Sequence, residues 1–142
     1  LLRWPGTVEP GVSDAMISQV DFCASFAAVA GSDLPDDAAP DSLDMCAPLF
    51  GECDQGREEL VTEGTKAKTV LRHGDWAYIP PHKGPAVNQN TNIELGNAPE
   101  PQLYNVTHDI GQARNLAPER ADVCRKLADR LAEIQDADRT RP

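Results

Sequence analysis

Apolar residues in the first part of the chain recur three and four apart. Met16, Val20, Cys23, Ala27 and Ala30 fall on one face of a predicted helix, with Ile17 and Ala24 beside them. Ser13 or Asp14 can cap its start, and Gly31, which tolerates positive φ, ends it. So broad a stripe predicts a well-buried packing helix. Ahead of it, residues 3–12 (RWPGTVEPGV) predict a strand end followed by a Pro/Gly turn. Behind it, 32–41 is a polar, proline-bearing loop, 42–50 a short helix limited by Pro48, and 51–56 a second loop.

The period then changes. Residues 59–63 and 66–72 have strand character, His73-Gly74-Asp75 a tight turn, and Trp76 to Ile79 a return strand, which together make a β-hairpin. Pro80 to Pro101 follows without any period, polar and rich in Asn, Pro and Gly. Loops of this length are functional or disordered more often than short ones. Leu103 to Val106 predicts a further short strand. A final helix has Pro118 near its first turn and the stripe Val123, Leu127, Leu131 and Ile134 on one face, with Arg125, Lys126, Asp129, Arg130 and Glu133 off it. The tail from Asp138 to Pro142 is expected to fray. Trp76 and Tyr104 are expected in the core of the small sheet. The order is helix, short helix, three or four antiparallel strands, helix: an α+β chain.

Composition sharpens this reading. The 142 residues suffice for a modest core, yet aromatics make up only 5%, which is thin for a domain standing alone. Net charge is −10, from 23 acidic and 13 basic residues. That disfavours nucleic acid, because phosphate binding needs a basic footprint, and an anionic substrate would need a local basic pocket. The apolar run from Phe22 to Ala30 is far short of the about 20 residues a membrane span requires, so no membrane partner is expected. The chain opens Leu1-Leu2-Arg3-Trp4 without an initiator Met or a leader pattern, and the expectation is a truncation, a cleavage point or a boundary chosen for expression.

Candidate chemistry is sparse. Cys23, Cys46, Cys53 and Cys124 form no C-x-x-C pair, and His73, His82 and His108 are scattered, so no zinc-ligand spacing arises. Ordinary buried thiols or a Cys46–Cys53 bridge are both open. Asp36-Asp37 lies in a proline loop and reads as a solvated acidic patch. Asn92 and Asn97 have no acidic partner at calcium-site spacing. No metal site is expected in this chain. Asn105-Val106-Thr107 is a sequon placed in a strand. The long loop offers His82, Lys83, Asn88, Asn90 and Asn92 as candidate substrate contacts. Lys83 could pair with a sulfate or uronate, and the Asn amides could read sugar hydroxyls; the alternative is a solvated loop with Asx turns.

Several segments in register resemble the C-terminal part of sulfatases of the arylsulfatase A type. Arg3-Trp4-Pro5-Gly6 resembles the R-W-P-G turn ending a strand of the large domain. Ser18-Gln19-Val20-Asp21, running on to Ala30-Gly31, resembles the helix that follows. Leu71-Arg72-His73-Gly74-Asp75-Trp76 resembles the L-R-x-G-x-W-K hairpin. Gln102-Leu103-Tyr104-Asn105-Val106, Asp109-Ile110-Gly111 and Asn115-Leu116-Ala117 resemble the strand and loop written LYDL…DPGE…NLA. Ile79-Pro80-Pro81 through Asn92, Glu94-Leu95-Gly96-Asn97 and Pro101 to Tyr104 are similar to bacterial sulfatases of the N-acetylgalactosamine-6-sulfatase kind.

The resemblance implies an alkaline-phosphatase-like sulfatase fold. Residues 1–55 would end a large α/β domain, and 56–142 would form a C-terminal subdomain whose antiparallel sheet packs with the last helix. An exposed apolar face is expected where the N-terminal catalytic part, the implied partner, would sit. It also implies a parent enzyme that hydrolyses sulfate esters on sulfated glycans, using a formylglycine nucleophile and calcium, exported to the periplasm or beyond. Those catalytic groups would lie upstream, leaving no catalytic residue here. Cys46-Ala47-Pro48-Leu49-Phe50 approaches the C/S-x-P-x-R formylglycine motif but carries Phe50 where Arg is needed. The competing readings are a stand-alone, non-catalytic carbohydrate-binding or interaction domain and another alkaline-phosphatase-superfamily member.

Overall fold

The computed structural model describes residues 1–64, 68–137 and 139–141. The chain divides into two compact units. One comprises Leu1–Glu58 and the residues from Asp136 onward; the other is Glu59–Gln135. No helix among the described residues is long and apolar enough to cross a membrane.

In the first unit the helix starts later than its apolar periodicity predicts. Ser13 only accepts the nearby N–H of Ala15, at 3.2 Å. The effective start signal is Ser18-x-x-Asp21. The Ser18 hydroxyl accepts the Val20 N–H at 3.4 Å, and the Asp21 carboxylate accepts the Ser18 N–H at 2.9 Å, a reciprocal capping box. A 3₁₀ turn, Gln19–Asp21, leads into α1, Phe22–Val29. Gly31 ends the segment at φ +64°, as its position predicts. Deep burial of α1 is not observed: its buried residues are Ala24 and Ser25, while Phe22, Phe26 and Val29 are 37%, 60% and 45% exposed. Ala24 and Ser25 face inward and the large apolar residues face out.

The inward side of α1 is held by a polar lock. Asp21, with no accessible surface, accepts from the Arg57 guanidinium through Nε at 3.0 and 2.8 Å and from the Leu43 N–H at 3.0 Å. Arg57 also donates to the Asp41 carbonyl. The Ser42 hydroxyl accepts the Ala24 N–H at 2.8 Å, and the Ser25 hydroxyl donates to the Asp21 carbonyl at 2.8 Å while accepting the Met45 N–H at 2.9 Å. Arg57 can reach this site because Gly56 passes against Met16, where a Cβ would lie 2.4 Å from the Met16 carbonyl oxygen. The short helix, α2, is Cys46–Phe50, later than the predicted 42–50 because Ser42 is spent in the lock. Pro48 is tolerated inside its first turn, where no N–H is needed. No strand precedes the Trp4–Thr7 turn; Trp4 instead meets Phe50 edge-on at 5.6 Å.

The predicted fraying of the tail is corrected for the described residues; Asp138 and Pro142 lie outside them. Thr140 donates through N–H and hydroxyl to Asp41 Oδ1, both at 2.9 Å. Arg141 donates to the carbonyls of Pro35 and Asp36 at 2.8 and 2.9 Å. A proline-rich loop has carbonyls without enough N–H partners, and the guanidinium supplies them.

The second unit is an antiparallel meander, β1 (Glu59–Gly64), β2 (Lys68–His73), β3 (Trp76–Ile79) and β4 (Gln102–Asn105), in that order, followed by α3 (Ala121–Asp136). Lys66 and Ala67, predicted in the second strand, lie outside the described residues. Pairing sets Val61, Leu71, Tyr78 and Leu103 in one row across all four strands. That row packs with Leu127 and Leu131 of α3, with Trp76, Val123 and Ile134 at the margin, so the predicted stripe is the one used. Pro118 falls in a turn before α3 rather than within it.

The opposite face is also covered. Ala77 and Tyr104, side by side in register, are buried there, which explains why β3 and β4 show no alternation of apolar and polar residues.

Candidate functional site

The covering on the opposite face is the long loop itself. Strand alternation puts Lys68, Ile79 and Gln102 on that face. Gln102 Nε2 donates to the Gly96 carbonyl at 3.0 Å and its Oε1 accepts the Tyr104 hydroxyl at 2.8 Å. A Cβ on Gly96 would lie 3.8 Å from Ile79 Cδ1. The Lys68 ammonium donates to Asn97 Oδ1. Asn97 is buried, and its Nδ2 donates to the Pro85 carbonyl at 2.7 Å. Gly84, at φ +147°, passes so close that a Cβ would sit 2.9 Å from Asn97 Nδ2.

Residues 86–95 form a tight hairpin-like excursion. Val87 bridges to Glu94, the Leu95 N–H donates to the Ala86 carbonyl at 2.8 Å, and the Asn88 N–H to the Ile93 carbonyl at 2.9 Å. Asn88 Oδ1 accepts the Asn90 N–H at 2.9 Å, an Asx turn, and Asn92, at φ +52°, donates its N–H to the Asn88 carbonyl at 2.8 Å.

The candidate contacts therefore fall into two groups. Asn88, Asn90 and Asn92 meet at the tip, where Asn88 is committed to the turn and Asn90 and Asn92 are exposed. His82 and Lys83 lie at the base, where the His82 N–H donates to the Ala98 carbonyl at 2.8 Å. Lys83 is exposed. His82 is partly buried, and its Nε2 is without a hydrogen-bond partner among the described residues. Sequence reasoning set Asn97 aside as a poor calcium ligand and missed its role as the tie of the loop. The signal available was Asn after Gly in Leu95-Gly96-Asn97, a small-plus-amide pair suited to close backbone approach.

The four cysteines are free thiols with no Cys46–Cys53 bridge, and the expectation of buried thiols holds for Cys124 alone: Cys46 is half-buried, and Cys23 and Cys53 are exposed. Cys46 donates from Sγ to the Ser25 carbonyl at 3.2 Å; burial, then the carboxylates of Asp44 and Glu52, push its thiol up to about 11. No three His, Cys, Asp or Glu side chains converge among the described residues. Asp36 and Asp37 are exposed, and Asn97 is occupied by Lys68 and Pro85. These residues do not fit the calcium that the resemblance implies for the parent. Asn105 ends β4, and Thr107 of its sequon donates to Asp75 Oδ1 at 2.7 Å.

No family model matches the chain. Among curated relatives, it is 36% identical over 135 residues to an N-acetylgalactosamine-6-O-sulfatase of Bacteroides thetaiotaomicron, covering 95% of this chain. It is 28% identical to the steryl-sulfatase of Mus musculus over 99% of the chain, and 24% identical to arylsulfatase A of Homo sapiens over 95%. The chain spans about a quarter of the length of these relatives: 26%, 26% and 29%. A solved structure from work on glycosaminoglycan metabolism by Bacteroides thetaiotaomicron superposes with a TM-score of 0.90 at 36% identity, over 95% of this chain and 28% of that one.

Proposed function

The chain belongs to the sulfatase family, as the counterpart of the C-terminal portion of its arylsulfatase A-type members, and from that premise we propose that the whole protein hydrolyses sulfate esters on sulfated glycans. The observation that carries this is the match to the N-acetylgalactosamine-6-O-sulfatase along 95% of the chain. In this reading residues 1–55 finish a large α/β domain, and the remainder forms the small domain beside the mouth of the active site. The formylglycine, the calcium and their ligands belong to the N-terminal part, which packs on the exposed face of Phe22, Phe26 and Val29. The chain alone is inactive. Its nearest approach to the nucleophile motif, Cys46 to Phe50, lacks the arginine.

His82 and Lys83 then serve as contacts to a sulfated sugar. Lys83 supplies an exposed cation, and His82, partly buried beside it with its Nε2 buried and unpartnered among the described residues, gains a hydrogen bond only if a ligand or a local opening reaches that nitrogen. The test is sulfate release from a 6-sulfated N-acetylgalactosamine and from an aryl sulfate. The full-length protein, with its upstream C/S-x-P-x-R motif converted to formylglycine, should release sulfate, and residues 1–142 alone should release none. Turnover by the chain alone, or none by the converted full-length protein, sinks the reading. Glycan binding without turnover in the full-length protein would favour the non-catalytic carbohydrate-binding alternative.

A further inference from the structure

The second face of the sheet holds the long loop through one side chain. Asn97 accepts from the Lys68 ammonium at Oδ1 and donates from Nδ2 to the Pro85 carbonyl at 2.7 Å. A carboxamide can do both at once, because one end accepts and the other donates. An Asp here would keep the lysine but set an oxygen against the Pro85 carbonyl, and an Ala would leave both partners unmet. The surroundings are shaped for this contact. Gly84 leaves no Cβ to strike Nδ2. Gly64, opposite Lys68 in the β1–β2 register, places no side chain beside it. The His82 N–H bond to Ala98 then carries the tie from Asn97 to the base of the loop, with Ala98 one residue after Asn97 and His82 three before Pro85.

We propose that Asn97 is a positioning residue for substrate recognition: by joining Lys68 on β2 to Pro85 in the loop, it fixes His82 and Lys83 where a sulfated sugar meets them. This rests on the reading of His82 and Lys83 as substrate contacts. Asn97 itself touches no substrate. It restricts the base of the loop to one conformation, so the ordering cost is met during folding rather than at binding.

The test uses the full-length enzyme, with kinetics on a sulfated oligosaccharide and on a small aryl sulfate. Asn97→Ala should raise KM for the oligosaccharide about tenfold while kcat stays within about twofold, since binding is disturbed and the reacting centre is not. KM for the aryl sulfate, which is too small to reach the loop, should hold. Hydrogen exchange at residues 82–98 should quicken in the same variant. Lys68→Met, which keeps the Pro85 arm, should give a smaller rise in KM, and it takes over the test should Asn97→Ala fail to fold. A His82→Ala/Lys83→Ala double variant reports on the contact reading separately. An unchanged KM in Asn97→Ala or, in its stead, Lys68→Met, with a raised KM in the double variant, overturns the positioning role and leaves the contacts standing. An unchanged KM in the double variant overturns the contact reading, and the proposal falls with it.

Discussion

Asp21 caps a helix and anchors a buried ion pair with the same carboxylate. One oxygen accepts the Ser18 N–H, the other the Leu43 N–H, and Arg57 spans both. Burial works to raise its pKa, but the Arg57 hydrogen bond, the two backbone N–H groups and the guanidinium charge outweigh it and hold the carboxyl below its ordinary value. Its folded pKa is therefore below its unfolded one. The stability it contributes is complete above the unfolded value, about 3.9, and is lost as pH falls through the lower folded value. Asp21→Asn should therefore cost most at neutral pH, about 3–5 kcal/mol for breaking a buried pair. The gap to wild type should narrow as pH falls below about 4, where the unfolded chain takes up the proton first, and close below the lowered folded value, where native Asp21 is neutral too. Urea unfolding across pH checks this, and a gap that widens on acidification contradicts it. Arg57, by contrast, lies outside every segment that carried the family resemblance, yet it completes the lock.

At the scale of elements, the meander and α3 form the most legible part of the chain. Strand character over 59–63 and 66–72 placed β1 and β2, and Gly74-Asp75 closes the β2–β3 hairpin. The stripe on α3 matches the row Val61–Leu71–Tyr78–Leu103, and Leu71 is fully buried in it. Leu71→Ala should cost about 2–5 kcal/mol, the usual range for an emptied core site, read as a lower midpoint in chemical unfolding. A loss near zero would mean that α3 does not depend on this row. Asn115 stitches the return to the helix, accepting the N–H groups of Leu103 and Ala117 at 3.0 Å each and donating to the Pro101 carbonyl at 3.1 Å. The N-terminal helix was the weaker reading. Its apolar spacing extended through 16–20, but the capping box at Ser18 and Asp21 offered stronger local hydrogen bonds and set the boundary there.

For the whole molecule, the exposed apolar face of α1 is the feature that the proposed N-terminal part has to account for. Phe22 and Phe26 stack at 5.4 Å with Val29 beyond them, a surface that a free-standing domain would rarely present. If, as proposed, an N-terminal part covers this face in the full-length protein, Phe26→Asp should lower that protein's thermal midpoint and soluble yield. It should improve the solubility of residues 1–142 expressed alone. Equal effects in both forms would mean that nothing covers it.

The sequence by itself determined the α+β order, the hairpin, the α3 stripe and the kinship with sulfatases, because these rest on local period and on segments in register. The same reading anticipated an exposed apolar face, but it placed the N-terminal helix too early and buried it too deeply. Only the tertiary structure decided that the Pro80–Pro101 loop lies over the second face of the sheet, that Asn97 ties it there, and that the tail is held by Asp41 and the proline loop. Those contacts join residues far apart in the chain through side-chain hydrogen bonds. No periodicity encodes such partners; they exist only once the fold has brought the groups within reach.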